Sequence, residues 1–196
     1  MATTSTFAEL KTLSRDQRSV VIASFLGWAL DAFDFFLMTF VVANIAKDFG
    51  STVRDVAYGI ALTLAMRPLG AFIFGYLADR YGRRPILMID ILLYTALELA
   101  SAFAPSLTSL LVLRALFGIA MGGEWGIGSS LTMETIPPRL RGIVSGFLQE
   151  GYATGFLLAS IANFLVVPHF GWRAMFIVGA PDVAAPLSYR PPQSTC

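Results

Sequence analysis

The chain has 196 residues, 56% of them hydrophobic and only 14% charged, against roughly 25% charged in ordinary soluble domains. With a mean hydropathy of +0.67 and a net charge of +1, it has the composition of a membrane protein and no global charge to draw it to nucleic acid. Its single cysteine, Cys196, and single histidine, His169, exclude an internal disulfide, a cysteine–histidine metal cluster and a serine–histidine triad.

The polar tail, residues 1–18, mixes both signs of charge and precedes an apolar run longer than the roughly 7 to 15 residues of a signal peptide. That run is expected to be retained as a span. A spanning helix needs about 20 mostly apolar residues, and five stretches qualify: Ser19 to Ala46, Val56 to Ala78, Ile86 to Ala104, Ser106 to Ser130 and Ile143 to Val167. None alternates polar with apolar as a barrel strand would, so the chain reads as an all-α bundle in a lipid bilayer. A sixth span starts at "GWRAMFIVGA" and is followed by "PDVAAPLSYRPPQSTC", which has four prolines and no run able to cross a bilayer. The bundle is therefore expected over residues 19–180, with 181–196 a non-membrane, aberrant tail.

Orientation follows from lysine and arginine. Lys11, Arg15 and Arg18 in the tail, Arg80, Arg83 and Arg84 in the second connector, and Arg139 and Arg141 in the fourth fall on one side if the helices alternate. On the other side, Lys47 and Arg54 are offset by Asp48 and Asp55, with Arg173 beyond. This arrangement predicts a multi-pass protein of the cell's inner membrane with a cytoplasmic amino terminus.

A charge inside a spanning helix costs about 2.5 to 3.5 kcal/mol on insertion scales and usually faces a polar interior. Asp31 and Arg67 lie near the middle of their runs, with Asp34 and Glu98 not far away and Arg114 in the outer half. Asp31 and Asp34 are three residues apart and share a helix face. Three acids facing two bases in one cavity favour a proton on one carboxylate. The alternative is that the arginines pair with acids on neighbouring helices and hold the bundle together. Gln149 and Glu150 are further cavity or interface candidates. Glycines at four-residue spacing (Gly118, Gly122 and Gly126; Gly142 and Gly146; Gly151 and Gly155) predict close helix approach. "GGEWGIGSS" is glycine-rich but lacks the lysine of a phosphate-binding loop and lies inside a span, so ATP-driven transport has no support.

Gly75, Asp79, Arg80, Gly82, Arg83 and Arg84 match G-x-x-x-D-R-x-G-R-R, and Glu134, Pro137, Arg141 and Gly142 match E-x-x-P-x-x-x-R-G at the corresponding later connector. With Arg114, Gly118 and Gly122, these motifs resemble the major facilitator superfamily over about residues 19 to 180. Within it, "GWALDAFDFF", "RPLGAFIFG", "RALFGIAMGGEWG" and "QEGYATG" look most like the sialate and monocarboxylate:proton symporters, and the aromatic-acid and metabolite symporters share "RPLGA". The resemblance implies the amino-terminal six-helix half of the fold, here with its sixth helix cut short, and substrate at the midplane between two halves. It further implies secondary transport of a small organic anion with a proton, without enzymatic activity or cofactor. Asp31, Asp34, Arg67, Glu98, Arg114, Gln149 and Glu150 would serve the cavity. Gly75, Asp79, Arg80, Gly82, Arg83, Arg84, Glu134 and Arg141 would form the cytoplasmic gate. A carboxyl-terminal half or another copy would complete the carrier; a sugar or osmolyte carrier of the same fold, or a non-transporting fragment, are the rival readings.

Overall fold

A computed structural model describes residues 13–179 and resolves them into six helices: α1 Arg15–Asp48, α2 Val53–Tyr81, α3 Arg83–Ala102, α4 Leu107–Thr135, α5 Arg141–Phe170 and α6 Trp172–Gly179. All five apolar runs are helices, and no strand occurs among the described residues. Four helices are long and apolar enough to cross a membrane, and α4 adds the apolar stretch Leu107–Gly123. Of the expected polar tail 1–18, residues 1–12 lie outside the described residues and Arg15 onward belongs to α1; the expected tail 181–196 also lies outside them.

The helices overrun the apolar runs because polar caps, not hydropathy, end them. Ser14 and Gln17 close a reciprocal capping box at the start of α1, and Thr52 and Asp55 do so for α2, each satisfying amide groups that the first turn leaves orphaned. Gly82, at φ +96°, makes the turn between α2 and α3, a conformation that costs glycine little and any other residue strain. Pro85 then falls in the first turn of α3, where no amide hydrogen is needed. At the far end, α4 runs on to Thr135 and thus carries Glu134.

Successive helices run antiparallel, but the two tightest interfaces, α2 with α4 and α1 with α5, join parallel ones. Both are built on small residues. Gly118 lies against the backbone of Thr63 and Gly122 against the carbonyl of Arg67, while Gly70 meets the carbonyl of Ile119 from the other side. The Thr63 hydroxyl, shared between the carbonyls of Gly59 at 2.9 Å and Arg114 at 3.0 Å, lies in the same contact. In the second interface Gly155 packs on the Ala29 carbonyl and Gly151 on that of Phe25. Rings extend it on one side, where Phe36 meets Tyr152 and Phe156 edge-on at 5.1 and 4.9 Å. Gly142 and Gly146 share the spacing, yet nothing stands within 4 Å of the Cβ either would carry. Among the described residues the expected close packing is not found there: both glycines are exposed and meet no neighbouring helix.

At the end distant from the arginine-rich connectors, Leu37, Val41 and Ile45 of α1 pack with Val56, Leu110, Trp172, Met175 and Phe176. Asp48 at the end of α1 accepts from Trp172 Nε1 at 3.1 Å and pairs with Arg173 Nη1 at 2.6 Å, fixing the start of α6 against α1.

The glycine contacts predict a contrast. Gly118→Ala and Gly122→Ala each set a methyl against a neighbouring backbone and should destabilise the bundle by about 1–3 kcal/mol. Gly146→Ala should be neutral or stabilising by about 0.4–1 kcal/mol through the unfolded chain. Denaturant unfolding in detergent micelles measures both, and equal losses at all three positions would remove close approach as the cause.

Candidate functional site

Most of the intramembrane charges expected from the sequence are buried. Asp31 and Asp34 are 3% and 1% exposed, Glu98 is fully buried and Arg114 is 1% exposed, whereas Arg67 is half-buried. Asp34, Phe35 and Met38 of α1, Ile60 and Thr63 of α2, and Arg114 and Phe117 of α4 line a narrow cleft of about 10 Å³. The three-residue spacing on α1 thus brings Asp34 into the cleft, with Asp31 one turn deeper toward the arginine-rich end.

Arg114 is fixed from several directions. Its Nη2 bonds Glu98 Oε2 at 2.8 Å and Ser101 Oγ at 2.5 Å, both on α3. The guanidinium lies over the rings of Phe117 at 4.4 Å and Phe176 at 5.1 Å, contacts favourable to a cation that has lost its water. Its Nε is buried without an acceptor, and so is Glu98 Oε1 without a donor, among the described residues. The ion pair is therefore incompletely satisfied on the cleft side. Arg67 is held differently, with Nη2 at 2.6 Å from Met121 Sδ and the guanidinium over Phe35 at 5.1 Å. Phe35 thus stands between Arg67 and the cleft.

The residues expected to gate lie at the opposite end from the Asp48 clasp. Arg83 Nη1 pairs with Glu134 Oε1 at 2.6 Å, joining the connector after α2 to the end of α4. Gln17 Nε2 donates to the Thr135 carbonyl at 3.2 Å, and Arg141 Nε to that of Ile136 at 3.2 Å. Asp79 and Arg80 are exposed, Arg80 lying over Tyr81 at 5.6 Å, and Gly75 is half-buried. The side chain of Arg84 lies outside the described set. With side chains 36% and 62% exposed, the Arg83–Glu134 pair contributes about 0–1 kcal/mol, weak enough to exchange partners. Gln149 and Glu150 are exposed on α5 and do not line the cleft.

The sequence reading passed over Asp90, which is fully buried on α3. The signal was available, since "LMIDILL" places an acid in an apolar run as clearly as "ALDAFDFF" does. Ser101 and Thr63 were also missed, having no charge to mark them.

The Glu98–Arg114 pair should behave as a unit. Glu98→Gln strands a buried guanidinium and should cost about 3–5 kcal/mol, while Glu98→Gln with Arg114→Met should cost less than the sum of the single changes. Unfolding free energies of the four proteins in detergent test this, and simple additivity would dissolve the pair.

Known proteins place this arrangement. The family model described as Major Facilitator Superfamily matches residues 22–183. The chain is 34% identical over 154 residues to the niacin transporter NiaP of Acinetobacter baylyi, covering 79% of this chain and 35% of that protein. It is 33% identical over 174 residues to the sialic acid transporter NanX of Escherichia coli K12, covering 86% and 42%. Among solved structures, the inward open xylose transporter XylE of E. coli superposes with a TM-score of 0.73 at 21% identity, over 87% of this chain and 46% of that one, a likeness of fold alone. The chain spans less than half the length of each of these relatives. From the two connector motifs, the helix order and the match over residues 22–183, the chain belongs to the major facilitator superfamily of membrane transporters.

Proposed function

We propose that the chain forms one six-helix side of a secondary carrier that moves a small organic anion together with a proton. The observation that carries this reading is the cleft, whose lining joins Arg114, with an Nε–H that has no acceptor among the described residues, to Asp34, Phe35 and Phe117. A guanidinium presents donors in a fork that suits a carboxylate, and the rings suit a flat or apolar body behind it. Niacin and sialic acid, named for two relatives, both carry a carboxyl group.

Coupling follows from charge. An anion entering beside Asp34 and Asp31 meets like charge unless one of them holds a proton. Protonation therefore favours anion binding, and by reciprocity the bound anion favours protonation. Carrier action then needs a second bundle across the cleft, moving against this one while the exposed Arg83–Glu134 contact opens and closes. The arginine-rich connectors would face the cytoplasm.

The test uses the carrier with both bundles present, in proteoliposomes with an acid exterior. Saturable uptake of nicotinate or sialate is expected, inhibited by other carboxylates and not by xylose; inhibition by xylose and indifference to carboxylates would make it a sugar carrier. Asp34→Asn should lower acid-driven accumulation at least tenfold while leaving anion exchange measurable, and an unchanged response to the proton gradient would take Asp34 out of coupling. Arg114→Lys should weaken anion affinity more than membrane abundance. For orientation, reporter fusions at Arg84 and Arg139 should read cytoplasmic and one at Gly50 the opposite side; the same side for all three would overturn the topology.

A further inference from the structure

Asp90 is the one fully buried aspartate in α3, and neither of its carboxylate oxygens has a hydrogen-bond partner among the described residues. Its position is built rather than accidental. A Cβ on Gly123 of α4 would stand 2.7 Å from Asp90 Oδ2 and 2.6 Å from the Cβ of Phe74 on α2. The carboxyl is thus seated in a notch that exists because residue 123 has no side chain, walled by an aromatic ring.

Among the described residues, the charged groups around this notch give Asp90 no counter-ion. Asp31 on α1 is near enough for its charge to act on Asp90, and it has the same sign. Arg67 on α2 is held on Met121 and over Phe35. Arg114 on α4 is engaged by Glu98, the other acid of α3. Arg173 on α6 is bonded to Asp48 at the far end of the bundle. A carboxylate stripped of water and left without donors is among the most costly groups to bury, whereas the neutral acid costs far less.

We propose that Asp90 is a second proton-binding site of the carrier. In this arrangement its carboxyl holds a proton, and it exchanges that proton with water from the arginine-rich end. The location suits the task. Asp90 is seven residues from Arg83, about 10 Å along the helix, so it lies between Asp31 and the connector expected to face the cytoplasm. In each exchange the Asp90 O–H bond breaks as water accepts the proton, and re-forms when water returns one. The proposal deepens the proton-coupled reading above and rests on it for its role in transport, but the state of Asp90 can be measured without substrate.

The experiment uses the 196-residue chain in lipid nanodiscs at neutral pH, with carboxyl-labelled aspartate, read by infrared spectroscopy. The isotope separates aspartic from glutamic carbonyl bands. The wild-type chain should show a protonated-aspartate band that moves on transfer to deuterated water. Asp90→Asn should remove that component. The complementary variant Asp31→Asn with Asp34→Asn leaves Asp90 as the sole aspartate deep in the helices, and its band should persist. Absence of the band in the double variant would overturn the proposal, whether or not Asp90→Asn folds. A band that does not move in deuterated water would equally overturn it, since a sealed proton cannot exchange. Failure of anion uptake with these bands intact would count against the transport reading and leave the proton site standing.

Discussion

Burying the guanidinium of Arg114 is the constraint on which the rest of this bundle depends. A lone charge in that position would be prohibitive in lipid, so the surroundings must come to it. Glu98 and Ser101 arrive from α3, Phe117 from its own helix and Phe176 from α6, while its backbone carbonyl accepts from Thr63 of α2. Four helices are thereby referred to one side chain. The same residue opens onto the cleft, so whatever engages it there perturbs the contacts that position α3 and α6. Site and scaffold are one network, which is what a carrier needs if binding is to move helices.

The packing that surrounds this network is a consequence of the solvent. In lipid there is no hydrophobic gain from bringing helices together, and close backbone approach takes its place. The chain uses that approach twice in equivalent ways. If α1–α3 and α4–α6 are treated as two sets, the contact of α1 with α5 becomes that of α4 with α2 when the sets are exchanged, and each is glycine-based and parallel. This is the relation expected of inverted repeats. It puts α1 and α4 in corresponding places, and these are the helices that supply Asp34, Phe35, Arg114 and Phe117 to the cleft. Two tight pairs with a looser join between them give the bundle rigid parts and a seam.

What the sequence made legible follows from which forces act along the chain and which across it. Spans were readable because a length of apolar residues is a local property; their ends were displaced by a turn or so because caps such as Ser14 with Gln17 and Thr52 with Asp55 are decided by hydrogen bonding. The arginine motifs were readable as a unit, and Arg83 does meet Glu134 across two connectors. Facing direction was not readable. A helix apolar all round carries no stripe, so spacing could not tell Gly151 and Gly155, which pack on α1, from Gly142 and Gly146, which meet no helix among the described residues. Glu98 had the same ambiguity until Arg114 was found beside it. Asp90 was legible as an acid in an apolar run, but its depth was not: the notch at Gly123 that seats it is a contact across helices.

The charge inventory of the interior carries the functional argument furthest. Asp31, Asp34, Asp90 and Glu98 are buried acids, and the bases among the described residues are Arg114, buried, and Arg67, half-buried. Glu98 is matched to Arg114, which leaves three aspartates and one arginine around the cleft and the notch. If the carrier moves an anion as proposed above, an interior with an excess of acids would have to take up protons before admitting it. On the same reading, once protons are held, Arg114 would be the base that lines the cleft and would favour negative charge there. On the proton-coupled reading proposed above, a single set of side chains would repel the anion in one protonation state and bind it in another, and that alternation would be the physical content of coupling. The buried acids are costly to the fold for the same reason that they are useful to a carrier, because their charge is only tolerable when something else is bound.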